Sequence, residues 1–334
     1  MPELRQNYVT REWVIIASER AKRPSSYAEV PNRLITADRP EYDPRCPFCL
    51  GNEELDLEVE RFPAEGQWMT RVVRNKFPAL ASDGVPIEAT FGIQTSMPGI
   101  GFHEVLVNHP RHNMTLALMD PYHVQVVFET MQRRGRYMVG DSRVQQVIFF
   151  KNHGERAGAS LMHSHCQLIG LPVVPDSIRR RIAETRRAFE ERGENPILAM
   201  LEHELTVQER LVTSSQHFVA FVLYAAASPF HTWIVPRTAR SSFLDVPPEE
   251  LADLAGIVRD VLRRLYIGLH DPDYNMIIRT APVRGDEVST FHWYISIVPR
   301  LSRLAGFELG SGMYINPSLP EACASFLRNL HNPD

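Results

Sequence analysis

The sequence predicts an α+β protein made of two fused, similar halves, and three observations carry that prediction. Strand-like runs are interleaved with long amphipathic helices, the order strand, helix, strand, strand occurs twice, and histidines recur at a near-constant offset. His103 in "FHEV" and His231 in "FHTW" stand 128 positions apart, and His163 and His292 stand 129 apart. Agreement within one residue at both ends of the unit argues for an internal duplication. The halves are expected at 1–195 and 196–334.

In the first half, "EWVIIASE" and "TRVVRN" read as short strands around a cysteine pair, within a stretch rich in proline and turns. "FHEVLVNHP" at 102–110 reads as a strand, because β-branched and aromatic residues dominate it. Residues 120–138 read as a helix, with Asp120 as N-cap and Pro121 at the first position, where a missing N–H costs nothing. Val124, Val127, Phe128 and Met131 fall on one face of it at helical spacing. "VQQVIFFKN" at 144–152 and "MHSHCQLIGLP" at 162–172 are strands joined by a glycine-bearing loop. A basic stretch at 177–194 carries Glu184, Glu190 and Glu191 among its arginines and reads as a solvated amphipathic helix.

The second half repeats the order: "PFHTWIVPR" at 229–237, a helix from residue 247, "YNMIIRTAP", a loop, and "FHWYISIVPR" at 291–300. Leu251, Leu254, Val258, Val261, Leu262 and Leu265 form the apolar stripe of that helix. Tyr294 and Ser296 stand where the first half has His165 and Gln167. One half keeps the histidine chemistry; the other is expected to serve as scaffold and substrate wall.

Composition bounds the function. The chain has 334 residues, 44% of them hydrophobic, with 36 basic and 40 acidic residues and a formal charge of −4. No excess of positive charge invites nucleic acid or anionic lipid. The N-terminus lacks an apolar signal core, and the run "FVAFVLYAAA" at 218–227 is too short to span a bilayer, so a soluble, cytoplasmic protein is expected. Cys46, Cys49, Cys166 and Cys323 make one close pair and two singles. That is no secreted disulfide framework, and the pair points to metal binding or redox chemistry.

"HSHCQ" at 163–167 is the most informative stretch. Side chains two apart on a strand leave the same face, so His163, His165 and Gln167 are expected together, with Ser164 and Cys166 turned to the core. "RCPFCLGNE" at 45–53 has the shape of a zinc knuckle, and a redox dithiol is its rival. With no second cysteine pair, histidines must complete a four-ligand site. His103, His109, His112 and one of His163 and His165 are candidates, and spacing alone does not choose among them.

Taken together, "RAKRP" at 20–24, "CPFCLGNE" at 46–53, "RVVRNKFPAL" at 71–80, "PRHNMTLALMD" at 110–120, "KNHGERAGASLMHSHCQLI" at 151–169 and "GFELGSGMYINP" at 306–317 resemble the galactose-1-phosphate uridylyltransferase family. This is a branch of the histidine-triad superfamily, to which ADP-glucose phosphorylase is also similar. The resemblance runs over nearly the whole chain. It implies two histidine-triad-like halves, each an antiparallel sheet with flanking helices, working as a homodimer. It implies Cys46, Cys49, His112 and His163 as ligands of one structural Zn2+ per chain, and His165 as the nucleophile that takes up the nucleotidyl group. Gln167 and Ser160 would hold the phosphoryl oxygens, and Asn152 the same phosphates. Arg20, Arg23 and Asn75 would face the nucleotide, and Glu308 the hexose hydroxyls of the other subunit's site.

The residue types suit that role. Imidazole, with an ordinary pKa near ~6.5, is largely unprotonated at neutral pH and attacks phosphorus readily. A sugar phosphate leaves without a strong acid, so an amide at position 167 in place of a third histidine is consistent with the chemistry. The substrates implied are a nucleoside-diphosphate sugar and a sugar 1-phosphate, with UMP moved between UDP-glucose and galactose 1-phosphate as the first reading. Adenylyl transfer from ADP-glucose to phosphate is the second. A zinc-stabilised binding module without catalysis is the rival of another class, and it leaves His165, Ser160 and Arg20 without a purpose. Positions 296 and 298, Ser and Val, depart from relatives that carry a second metal, and Tyr314 stands where a hexose-contacting glutamine is expected.

Overall fold

In the computed structural model, residues 1–17, 27, 34–285, 290–302 and 305–330 are described. Ten strands form one antiparallel sheet. From the first half come β3 (Glu58–Phe62), β4 (Thr70–Arg74), β7 (Phe102–Val107), β8 (Gln146–His153) and β9 (His165–Leu171). From the second come β10 (Leu211–Ser214), β11 (Phe218–Val222), β12 (Thr232–Pro236), β13 (Tyr274–Arg279) and β14 (Tyr294–Pro299). Their order is β10-β11-β12-β14-β13-β8-β9-β7-β4-β3. The α+β expectation holds. The short strands β1 (Glu3–Gln6), β2 (Trp13–Ile16) and β15 (Tyr314–Asn316) make a separate sheet, and β5 (Ala89–Phe91) and β6 (Gln94–Ser96) a hairpin.

The duplication is visible in the register. Gln167 pairs with Val105 on one side and Phe150 on the other; Ser296 pairs with Trp233 and Ile277 in the same way. Phe150 and Ile277 are therefore equivalent residues, and they pair with each other where β8 meets β13. Equivalent residues face one another only across a local two-fold axis, which passes through the middle of the sheet.

One face of the sheet is closed by α1 (Pro121–Val139) and α4 (Pro248–Gly268), which pack side by side. The Asp120 carboxylate accepts from the His123 N–H at 2.9 Å, the cap expected from the sequence. Val124, Val127, Phe128 and Met131 are fully buried, as are Leu254, Val258 and Val261. Gly135 lets α1 approach the sheet, since a Cβ there would meet the Phe149 ring at 2.6 Å. The basic stretch forms α2 (Asp176–Arg192), followed by α3 (Pro196–Val207), and α5 (Gly306–Ser311) and α6 (Pro320–Arg328) lie near the C-terminus. No helix among the described residues is long and apolar enough to cross a membrane.

Candidate active site and metal centre

The cysteine pair sits on a tight turn in which the Cys49 N–H donates to the Cys46 carbonyl. Four ligand atoms, from Cys46, Cys49, His112 and His163, lie within 4.8 Å of one another, all in buried side chains. Cys46 Sγ is 3.7 Å from His163 Nδ1, and Cys49 Sγ is 3.6 Å from the Nδ1 of both His112 and His163. Zn–S and Zn–N bonds of about 2.3 and 2.0–2.1 Å at a tetrahedral angle place sulfur and nitrogen roughly 3.6 Å apart. The donor set therefore fits a tetrahedral metal such as zinc. The His163 Nε2–H donates to the carbonyl of His109 at 2.6 Å, which leaves Nδ1 as the nitrogen available to a metal. Burial pushes the Cys46 thiol up to about 11 and holds His163 down to about 4. A cation among them supplies what the buried thiolates otherwise lack.

His109, one of the sequence candidates, gives only its backbone carbonyl, and its ring stacks on His123 at 4.5 Å. His103 is elsewhere. The backbone N–H of Ala79 donates to His103 Nδ1 at 3.0 Å, so the neutral ring carries its proton on Nε2 and donates it to Gln167 Oε1, also at 3.0 Å. Gln167 is thereby oriented, and its NH2 group has no acceptor among the described residues. His103, a candidate ligand by spacing, is therefore not among the four clustered donors and bonds Gln167 instead. The sequence carried no local sign of it, because the partner lies on a different strand.

His165 follows two residues after His163 of this cluster. Its Nδ1–H donates to the His163 carbonyl at 2.8 Å, and Nε2 has no partner among the described residues. Burial, then the nearby Lys151 charge, pushes this imidazole down to about 4, so it is neutral near pH 7. The Phe48 ring meets both His163 and His165 edge-on, at 6.1 and 5.4 Å, so the two imidazoles share one side of the chain. Ser164 and Cys166 turn the other way. Cys166 is fully buried against Asn108, and Lys151 Nζ donates to Ser164 Oγ at 2.9 Å and to the His165 carbonyl at 3.1 Å. Lys151, buried and in no ion pair among the described residues, was not singled out from the sequence.

A cavity of about 450 Å³ opens over this face, lined by His165, Gln167, Ser160, Asn75, Arg74 and Lys76, with Phe48, Leu57, Val73 and Leu161 as apolar walls. Asn75 Nδ2 lies 3.0 Å from His103 Nε2. Ser160 ends the loop after β8, which is pinned at Gly154: φ is +81°, and a Cβ would stand 2.1 Å from Asp273. Asn152 is not among the lining residues. Its Oδ1 accepts from Asn275 Nδ2 at 2.8 Å across the two-fold. Glu308 also does not line this cavity; it lies in α5, where its carboxylate accepts from the Ala305 N–H. Arg20 and Arg23 lie outside the described residues. His292 is fully buried, bonded to the Pro236 carbonyl at 2.8 Å and to the Arg240 N–H at 3.1 Å.

Comparison with known proteins agrees with this architecture. The family described as galactose-1-phosphate uridyl transferase, N-terminal domain, matches residues 1–175, and its C-terminal domain matches residues 147–313. An ADP-glucose phosphorylase of Arabidopsis thaliana is 35% identical, over 98% of this chain and 93% of its own. A galactose-1-phosphate uridylyltransferase of Thermotoga maritima is 30% identical, over 98% of both chains. The crystal structure of an ADP-glucose phosphorylase from Arabidopsis thaliana with bound ADP-glucose superposes with a TM-score of 0.83 at 32% identity, covering 99% of each chain.

Proposed function

The chain belongs to the galactose-1-phosphate uridyl transferase family of nucleotidyltransferases, and from that premise we propose that it moves a nucleoside monophosphate through His165, from a nucleoside-diphosphate hexose to a phosphate-bearing acceptor. The observation that carries this reading is the bond from His165 Nδ1–H to the His163 carbonyl, with Nε2 left bare at the cavity. Nε2 attacks the α-phosphorus, the bond to the bridging oxygen breaks, and the hexose 1-phosphate departs with the electron pair. The nucleotidyl group is then held on Nε2 while Nδ1–H stays on its carbonyl acceptor. An acceptor phosphate oxygen next attacks the same phosphorus and the P–N bond breaks, which restores the neutral imidazole.

Gln167, oriented by His103, offers its amide hydrogens to the crowded phosphoryl oxygens, with the Ser160 hydroxyl beside it. Zinc at Cys46, Cys49, His112 and His163 would play no part in the displacement. It would fix the residue whose carbonyl orients His165. Arg74, Asn75 and Lys76 serve the nucleotide side of the cavity, and Glu308 is assigned to the hexose in a partner subunit's site. Asn152 is assigned to the same phosphates, its Oδ1 held by Asn275.

ADP-glucose as donor and phosphate as acceptor are favoured, because the 35% identical relative and the structure superposing at 0.83 both bear the name ADP-glucose phosphorylase. That was the second reading from sequence, and the uridylyl reading, which rests on the 30% identical relative, becomes the alternative. Intact mass after separate incubation with ADP-glucose and UDP-glucose tests both. Gain of one AMP, absent in His165→Ala and discharged as ADP by phosphate, supports the adenylyl reading. Gain of UMP alone reverses the order, and no adduct with either donor overturns nucleotidyl transfer through His165.

A further inference from the structure

The two-fold relation creates a second place equivalent to the His165 cavity, and in the C-terminal half it is also open. A cavity of about 250 Å³ lies over β12, β13 and β14, with Val14 of β2 and Tyr314 of β15 on its wall. The frame of the first site survives there. His231 Nε2 bonds Ser296 Oγ at 2.9 Å, as His103 Nε2 bonds Gln167. By the strand register, Tyr294 occupies the place of His165 and Arg279 the place of Asn152.

The charges differ. Arg181, Arg279 and Arg300 all line this cavity, against one carboxylate, Glu12. Arg181 donates to the Tyr294 hydroxyl at 3.0 Å, and Arg300 donates to Asn275 Oδ1. Arg279 has no hydrogen bond or ion pair among the described residues. Two further buried polar atoms on the wall also lack partners among the described residues, Trp233 Nε1, in a side chain 2% exposed, and His231 Nδ1. Burial and then the three guanidiniums push His231 down to about 3, which shows that their fields converge on it. An unpaired guanidinium kept next to another in a half-closed space is costly unless an anion meets it.

We propose that this cavity binds a small phosphate-bearing anion, gripped by Arg279 with Arg181 and Arg300, at a site distinct from the His165 cavity. The volume, just below the roughly 300–1,000 Å³ of ordinary small-molecule pockets, suits inorganic phosphate or a hexose phosphate better than a nucleotide sugar. Tyr294 in place of a histidine makes the site a reader of phosphate and not a second centre of transfer. The inference stands on the lining of this cavity and is independent of what His165 does.

Equilibrium dialysis with inorganic phosphate, and separately with glucose 1-phosphate, distinguishes the two sources. At low salt, wild type is expected to bind one equivalent more per chain than Arg279→Gln, or to lose at least about tenfold in affinity at that site in the variant. Diffraction from wild-type crystals soaked in tungstate, a heavy phosphate mimic, should place an anomalous peak within hydrogen-bond reach of Arg279. Without ligand, Arg279→Gln should melt no lower than wild type, since a buried charge facing another is removed. Equal stoichiometry and affinity in wild type and variant for both ligands overturns the proposal. So does a tungstate peak unaccompanied by any difference in dialysis, which marks an adventitious ion only.

Discussion

His103 Nε2 stands 3.0 Å from Gln167 Oε1, and 128 positions later His231 Nε2 stands 2.9 Å from Ser296 Oγ. Duplication preserved a histidine that orients a polar neighbour on the adjacent strand in both halves. In the first half the neighbour is an amide poised over a cavity. His103→Phe leaves that amide free to rotate, so kcat/KM for nucleotidyl transfer should fall about 10- to 100-fold. Stability should change far less, and His103→Asn should recover part of the loss. Unchanged kinetics for His103→Phe in a steady-state assay would remove His103 from the site.

The candidate metal site gives the second prediction. Cys46→Ser removes one thiolate from a buried set of four, and the remaining ligands cannot close a tetrahedral site. Metal content measured by elemental analysis should drop from one equivalent per chain to a small fraction. Loss of several kcal/mol should lower Tm by about 10 °C or more. Treating wild type with a strong chelator should have the same effect, reversed by added Zn2+. A variant that keeps both its metal and its melting temperature would show that this cluster holds no ion.

Lys151 is fully buried with its Nζ on Ser164 Oγ and the His165 carbonyl, and burial pushes the ammonium well below its ordinary value. It holds the backbone at His165 and is not among the residues lining the cavity. Lys151→Met keeps the stem's volume and removes the donor. The expected result is a fall in kcat of about tenfold, with KM near wild type and stability within about 1 kcal/mol, because loss of the hydrogen bonds is offset by relief of desolvation. A fall in KM-dependent binding without change in kcat would contradict this positioning role.

Asp271 supplies a pH dependence. Burial alone would raise its carboxyl, but the bonds from His153 at 2.7 Å and from the Thr36 N–H and hydroxyl outweigh it and draw the pKa down to about 2. The unfolded chain, with a carboxyl near ~3.9, takes up its proton first as pH falls. The stabilisation, about 2 kcal/mol, is therefore complete above the unfolded value and lost as pH falls through about 4 to 2. Urea midpoints measured across that window should decline less steeply in Asp271→Asn than in wild type. Parallel curves would exclude the linkage.

What could be read from the sequence was whatever repeats along the chain or has local chemistry. Helix α1 was legible from Asp120, Pro121 and a stripe at Val124, Val127, Phe128 and Met131, and the duplication from the spacing of His103, His163, His231 and His292. The resemblance of the motifs implied the four ligands and His165. Spacing alone could not choose His112 over His103 and His109, because ligation is settled by where loops meet in space. The Asn152 Oδ1 accepts from Asn275 of the other half, a residue 123 positions away, a bond that no local pattern announces. Position along the strand decides which face a side chain takes, so the sequence determined that His165 and Gln167 lie together and that Cys166 faces the core. Partners across strands obey register and closure of the whole sheet; only the tertiary structure could decide that His103 orients Gln167, that Lys151 lies beneath His165, and that three arginines from separate elements converge on a second cavity.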